Sequence, residues 1–388
     1  MRILTVLTYY RPHTSGLTIY AERIAKAFVA RGHQVTVLTS QYEKNLPLHE
    51  TLEGVEIIRS PVLFRLNKGV IMPWIGWQAT RAALRHDVIL LHLPQFDAAG
   101  ISLRGRLFKK PTIIAYHSDL ILPPGAFNRF VNFVVDVANR LTATFAHRIS
   151  AYTDDIATHS PYLSSYPKKV KVITPPVELP QASLEAIGAF RFRHNPEGKR
   201  IIGMATRFAS EKGVEVLLDA LPKVMEKHPN VKVLFAGQYE GVWGEQQYFE
   251  RLAPRIRALE AQGKWKFLGV LPLAEMPAFF ANLDVICVPS LNSTETFGFV
   301  QVEAMMNGVP SVASNLPGVR QPVQMTGMGE VIPIGSADGL ARALIRILEQ
   351  PEKYRGDCDA IRERFSPLTT AARYEALFEE IRQEIRGK

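Results

Sequence analysis

The sequence predicts an α/β protein made of two Rossmann-like domains facing a cleft. Three observations carry that expectation. The first forty residues spell strand, loop, helix and strand, and the same pattern begins again at residue 200. Between the two lies "PPVELPQASLEAIGAFRFRHNPEGKR", whose prolines and mixed polarity suit a linker followed by a short helix. Successive βα repeats of this kind build doubly wound sheets.

Each element follows from its residues. "RILTVL" is an apolar run of the sort found in buried parallel strands. After the loop "TYYRPHTSG", residues 19–31 place Tyr20, Ile24 and Phe28 four apart on one face of a helix, which Gly32 ends. "QVTVLT" is the second strand, and further strands are expected at 87–93, 111–116, 148–153 and 170–174. In the second repeat "RIIGMATR" leads to the helix "GVEVLLDALPKVMEKHP" and the strand "VKVLFAG", with more strands at 264–269, 283–290 and 308–314. Domain boundaries are expected at 1–180 and 181–367, with the last helix, 368–388, able to pack back on the first domain.

Composition narrows the class. At 388 residues, 47% hydrophobic and 21% charged, the chain is globular and long enough for two cores. Cys287 and Cys358 offer neither a disulfide framework nor zinc spacing, which suits a reducing cytoplasm. The first residues lack the features of a signal peptide, and no apolar run reaches the roughly 20 residues of a membrane span. Asn292-Ser293-Thr294 matches a glycosylation sequon that would be idle in the cytoplasm. Charge is uneven: residues 1–180 hold 21 Lys and Arg against 12 Asp and Glu, whereas residues 181–388 hold 25 of each.

Two constellations carry chemistry. In "ETFGFVQVE", Glu295 and Glu303 stand eight positions apart around Phe297, Gly298, Phe299 and Val300. Glu295 lies just past the strand "DVICVPS", at the edge where open α/β sheets bind ligands. Gly298 permits close backbone approach, and Glu303 falls inside the helix that follows, about 12 Å further on. In "TRFASEKGVEVLL", Arg207 and Lys212 occupy the loop after a strand and Gly213 opens a helix, an arrangement suited to a pyrophosphate. The plain alternatives are a solvated Glu295 and a basic loop neutralised by Glu211.

These residues resemble the signature of the family-4 retaining glycosyltransferases of GT-B fold. "RFASEKGVEVLLDAL", "VPSLNSTETFGFVQVEAMMNGVPSVAS", "LPGVRQPV" and "GLTIYAERIAKAFVARGHQVTVLT" match its order and spacing. The resemblance implies that Arg207 and Lys212 hold the diphosphate of a UDP- or GDP-sugar donor and Glu303 its ribose. Glu295 and the backbone of Phe297, Gly298, Phe299 and Val300 would hold the transferred sugar and distal phosphate. His117 would be an active-site histidine beside that sugar, Asp119 a further candidate, and Gly16 would let the first loop pass near the phosphates. The chain has Ser15-Gly16 where the family often has a glycine pair, and Pro175-Pro176-Val177-Glu178 where it often has Pro-Asn-Gly.

The resemblance also implies hexose transfer with retention, the leaving diphosphate being neutralised by cations and amides without metal. Asp357-Cys358-Asp359 spells Asp-x-Asp but lies far from the clamp, as a solvated loop. No cofactor and no nucleic-acid partner are expected. Arg104, Arg106, Lys109 and Lys110, beside the apolar-rich "LILPPGAFNRFVNFVVDVANRL", suggest a lipid-linked acceptor and peripheral contact with an anionic membrane surface. The alternatives are a soluble acceptor or a cell-envelope glycan, a glycoside hydrolase using Glu295 and Glu303, and a non-catalytic sugar-nucleotide-binding protein. A dehydrogenase is disfavoured, since no G-x-G-x-x-G follows the first strand.

Overall fold

A computed structural model describes residues 1–66, 69–118 and 126–387. They divide into two compact units: Met1–Val177 with Arg364–Lys388, and Glu178–Glu363.

The first unit runs β1 (Arg2–Val6), α1 (Gly16–Ala30), β2 (Gln34–Gln41), β3 (His49–Leu52), β4 (Val55–Pro61), β5 (Phe64–Leu66), β6 (Gly69–Ile71), α2 (Ile75–Arg85), β7 (Val88–Leu93), α3 (Ala98–Leu107), β8 (Thr112–Tyr116), α4 (Ala126–Phe145), β9 (Arg148–Ala151), α5 (Asp154–His159) and β10 (Val170–Val172). Eight of the strands form one sheet in the order β10-β9-β8-β7-β1-β2-β4-β3, parallel except for the β3–β4 pair; β5 and β6 form a separate hairpin. Every residue of β7 is buried, because helices cover both faces of such a sheet. α1 begins at Gly16, earlier than the apolar spacing predicts. Ser15 caps it, its side chain accepting from the Thr18 N–H.

The second unit runs α6 (Leu184–His194), β11 (Arg200–Ala205), α7 (Val214–Lys227), β12 (Val231–Ala236), α8 (Gln246–Ala261), β13 (Trp265–Gly269), α9 (Met276–Ala281), β14 (Val285–Val288), α10 (Phe299–Met305), β15 (Ser311–Ser314), α11 (Gln321–Thr326), β16 (Gly329–Ile332), α12 (Ala337–Glu349) and α13 (Cys358–Arg364). Its sheet is wholly parallel in the order β13-β12-β11-β14-β15-β16. The linker helix α6 belongs to this unit: Phe190 packs edge-on to Phe279 of α9, and Asn282 donates to the Ile187 carbonyl. The core gathers Leu217 and Leu221 of α7, Phe235 of β12 and Leu344 of α12.

α14 (Pro367–Arg386) returns to the first unit. Its buried stripe Thr370, Ala371, Tyr374, Leu377, Phe378 and Ile381 has helical period, and Tyr374 bonds Tyr20 of α1 at 2.7 Å. Glu375 holds Arg31 and His33, while Glu380 holds Arg148.

Candidate functional site

In the second sheet β11 sits between β12 and β14, so the chain winds away in opposite directions from the β11–β14 pair. That reversal opens a crevice at the carboxyl ends of the two strands. The loops leaving them, 206–213 and 289–298, carry Arg207, Lys212 and Glu295, and the second loop leads into α10, which carries Phe299, Val300 and Glu303.

These loops are stitched into one site. Gly213 has φ +71°, and a Cβ there would stand 2.1 Å from the Pro289 carbonyl oxygen, so only glycine lets the loops meet. The Leu291 N–H donates to the Glu211 carbonyl at 2.9 Å. Lys212 Nζ donates to Glu295 Oε2 at 2.8 Å, and Glu295 Oε1 accepts from the Gly298 N–H at 3.0 Å. Burial pushes the Glu295 pKa up. The Lys212 ammonium and the Gly298 and Phe297 amides outweigh that and hold it below the usual value. The pair is mostly enclosed, with side-chain exposures of 15% for Lys212 and 23% for Glu295.

Arg207 is 53% exposed and pairs with Glu211 at 3.1 Å. The Glu211 partnership considered from sequence is therefore present, and it leaves the guanidinium on an accessible loop. Such exposed pairs contribute little and exchange partners readily. Phe297 is buried, Phe299 and Val300 are half-buried, and the two phenyl rings lie 5.8 Å apart. Gly298, at φ +76°, turns the chain into α10, where Glu303 is half-buried.

Sequence reasoning missed Gln301, which fixes this turn. Fully buried, its amide nitrogen donates to the Phe297 and Val319 carbonyls at 3.1 and 2.9 Å, and its oxygen accepts from Ser311. It missed Glu245 as well, whose carboxylate accepts the Ser210 N–H and hydroxyl and so braces the Lys212 loop. The one available signal was a glutamine set between Val300 and Val302 in a short, largely apolar helix.

In the first unit Gly16 is the first residue of α1, directly after the Ser15 cap. His117 follows β8 and is 6% exposed. Its Nε2 meets His92 Nδ1 at 2.8 Å and its Nδ1 meets the Tyr152 hydroxyl. Burial, then the neighbouring His92, holds the His117 pKa well below that of free imidazole, so the ring is neutral. Asp119 lies outside the described residues.

Asp357 is exposed in the stretch just before α13, as expected of a solvated loop, and there it caps the helix, Oδ1 accepting the Asp359 and Ala360 N–H groups. One sequence expectation needs correction: Arg104 is not part of an exposed cationic cluster. It is half-buried, donating to Thr80 Oγ1 at 2.7 Å and to the Gly100 carbonyl at 2.8 Å. Lys110 is half-buried as well, whereas Arg106 and Lys109 are exposed. The same helical layer displays apolar side chains: Trp74 and Trp77 at the start of α2 are 63% and 59% exposed, and Phe133, Val137 and Leu141 line α4. Among the described residues no group of three or more His, Cys, Asp or Glu could hold a metal ion, and no helix is long and apolar enough to cross a membrane.

Both units match known families. Residues 15–176 match the glycosyl transferase 4-like domain, and residues 187–362 match the glycosyl transferases group 1. The chain is 34% identical over 160 residues to a phosphatidyl-myo-inositol mannosyltransferase of Mycolicibacterium smegmatis, a stretch spanning 41% of this chain and 39% of that relative. It is 25% identical over 384 residues to the Mycobacterium leprae protein of the same name, covering 94% and 90% of the two chains. Among solved structures it superposes on Anabaena HepE in complex with UDP with a TM-score of 0.75, at 21% identity, covering 98% and 100% of the two chains.

Proposed function

Since the chain belongs to the family-4 glycosyltransferases of GT-B fold, we propose that it moves a hexose from a UDP- or GDP-linked donor to a hydroxyl acceptor with retention at the anomeric carbon. The observation that carries the donor assignment is the Lys212–Glu295 pair at the strand-order reversal of the second sheet. It brings a cation and a carboxylate from the two constellations to one place. Lys212 and Arg207 take the diphosphate, displacing Glu295 and Glu211 as their partners. Glu295 is then released toward the sugar hydroxyls, while Glu303 of α10 takes the ribose.

As the glycosidic bond to the leaving group breaks, negative charge grows on the diphosphate while the sugar becomes oxocarbenium-like. Preorganised cations stabilise that charge without reorganisation during the reaction. Because both cations belong to the protein, the transfer needs neither metal nor cofactor. Hydrolysis of a neutral glycoside would not call for such cations, which favours transfer over a glycosidase. Retained turnover in Lys212→Ala, or release of free sugar from a glycoside without nucleotide, would count against it.

The acceptor is lipid-linked, and the protein docks peripherally on the inner face of the membrane. The similarity to phosphatidyl-myo-inositol mannosyltransferases supports this. So does the exposed face of α2, where Trp74, Trp77, Arg81, Leu84 and Arg85 carry no acidic residue and Arg81 lies over the Trp77 ring at 4.7 Å. Aromatic and cationic side chains together suit an anionic interface. Assaying nucleoside diphosphate release from UDP- and GDP-hexoses, with lipid and soluble acceptors in parallel, tests both halves. Release with soluble acceptors alone would remove the lipid assignment.

A further inference from the structure

The buried face of the first sheet that meets α1 and α14 holds a hydrogen-bonded chain of rings with a direction. His92, at the end of β7, is fully buried, and its Nδ1 lies 2.8 Å from His117 Nε2. The two imidazoles stack with centroids 5.1 Å apart and 17° between planes. His117 Nδ1 meets the hydroxyl of Tyr152, just past β9. Tyr20 of α1 stands edge-on to the His117 ring at 4.8 Å, and its own hydroxyl is tied through Tyr374 of α14 to Ser150.

A neutral imidazole has one N–H and one bare nitrogen. His92 Nε2 is buried with no hydrogen-bond partner. Buried N–H groups without an acceptor are rarer in proteins than under-used acceptors, so the His92 proton belongs on Nδ1. Nδ1–H then donates to His117 Nε2, which must be bare. The His117 proton accordingly sits on Nδ1 and is donated to the Tyr152 oxygen. Each bond fixes the next, and rotating the His117 ring would break both of its bonds at once. The main chain is held as well, the His117 N–H donating to the Leu93 carbonyl at 3.2 Å.

We propose that His92 and Tyr152 are positioning residues, locking His117 as the neutral Nδ1–H tautomer in a single orientation for sugar transfer. This rests on the proposed sugar transfer and on the place beside the transferred sugar that the family resemblance implies for His117. The residues proposed to hold the nucleotide, Arg207, Lys212 and Glu303, belong to the second unit, so loss of His92 or Tyr152 should lower kcat and leave the donor KM alone.

The test labels the full-length protein with 15N-histidine and correlates ring nitrogens with ring protons at about pH 6 to 8, where free imidazole titrates. The expected result is a protonated Nδ1 and a bare Nε2 at His117, with no titration. Tyr152→Phe should shift that tautomer and reduce kcat on the order of 10- to 100-fold, as misplaced reacting groups do, with donor KM within about twofold. His92→Leu should do the same, and His92→Asn, whose amide nitrogen can stand where Nδ1 stands, should restore most of the rate. A wild-type His117 protonated on Nε2, or wild-type kcat in folded Tyr152→Phe, would overturn the proposal. His117→Ala separates the failures. Full turnover there removes His117 from the reaction, whereas lost turnover there with normal rates in Tyr152→Phe and His92→Leu removes only the positioning.

Discussion

Lys212, Gly213 and Glu295 show how single residues set this site. Lys212→Ala removes the more enclosed cation and should lower turnover by about 3–4 kcal/mol of transition-state stabilisation, as losing one preorganised donor does. Steady-state kinetics with the preferred donor would measure it. Gly213→Ala should destabilise the fold by about 1–3 kcal/mol, the cost of a residue held in a sparsely populated conformation, with the contact at the Pro289 carbonyl adding to it. A urea melt reads that loss directly. His92 gives a pH signature. Burial holds its pKa at about 3, below its unfolded value. It therefore contributes stability that is fully present above about pH 6.5 and is lost as pH falls, because the unfolded chain takes up a proton the native state refuses. The slope of stability against pH between about 6 and 5 should be shallower in His92→Asn by about 1.4 kcal/mol per pH unit. Equal slopes would mean that His92 is charged in the folded protein.

At the scale of elements, α14 is the most instructive. Tyr374→Phe removes the hydroxyl that joins Tyr20 to Ser150 and should cost about 1–3 kcal/mol, the penalty for buried polar groups left short of a partner. An unchanged midpoint in chemical denaturation would show that the helix is held by its apolar stripe alone. The strands were legible in the sequence because buried parallel strands read as apolar runs, and both sheets contain the expected ones. Short elements were not: β3 exposes most of "HETL", and β5 and β6, three residues each, are too short for any alternation to mark a strand. The stripe on α14 was visible, yet periodicity does not say which surface a stripe meets. Lys212 and Glu295 were each identified, but their contact spans 83 positions and becomes visible only once β11 and β14 lie side by side. His92 read simply as one more residue of a buried strand, because no local pattern marks a side chain whose hydrogen-bond partner, His117, stands 25 positions further on.

For the whole molecule, the basic excess lies in residues 1–180, yet it is not concentrated where the sequence suggested. Arg104 is spent on internal hydrogen bonds, while Arg81 and Arg85 join exposed tryptophans on α2. Neutralising Arg81, Arg85, Arg106 and Lys109 together should therefore abolish sedimentation with anionic vesicles at low salt, each cation contributing about 1 kcal/mol near the surface. Nucleotide binding should be untouched. Turnover should also survive EDTA, whereas loss restored by manganese or magnesium would mean that protein cations do not suffice. The central claim is that loops 206–213 and 289–298 form one donor site, and calorimetric titration of UDP and GDP tests it most directly. Saturable binding of one nucleotide to the wild type, weakened about tenfold or more in Lys212→Ala and in Glu303→Ala, is the predicted result, a loss of at least about 1.4 kcal/mol. Wild-type affinity in both variants would contradict it.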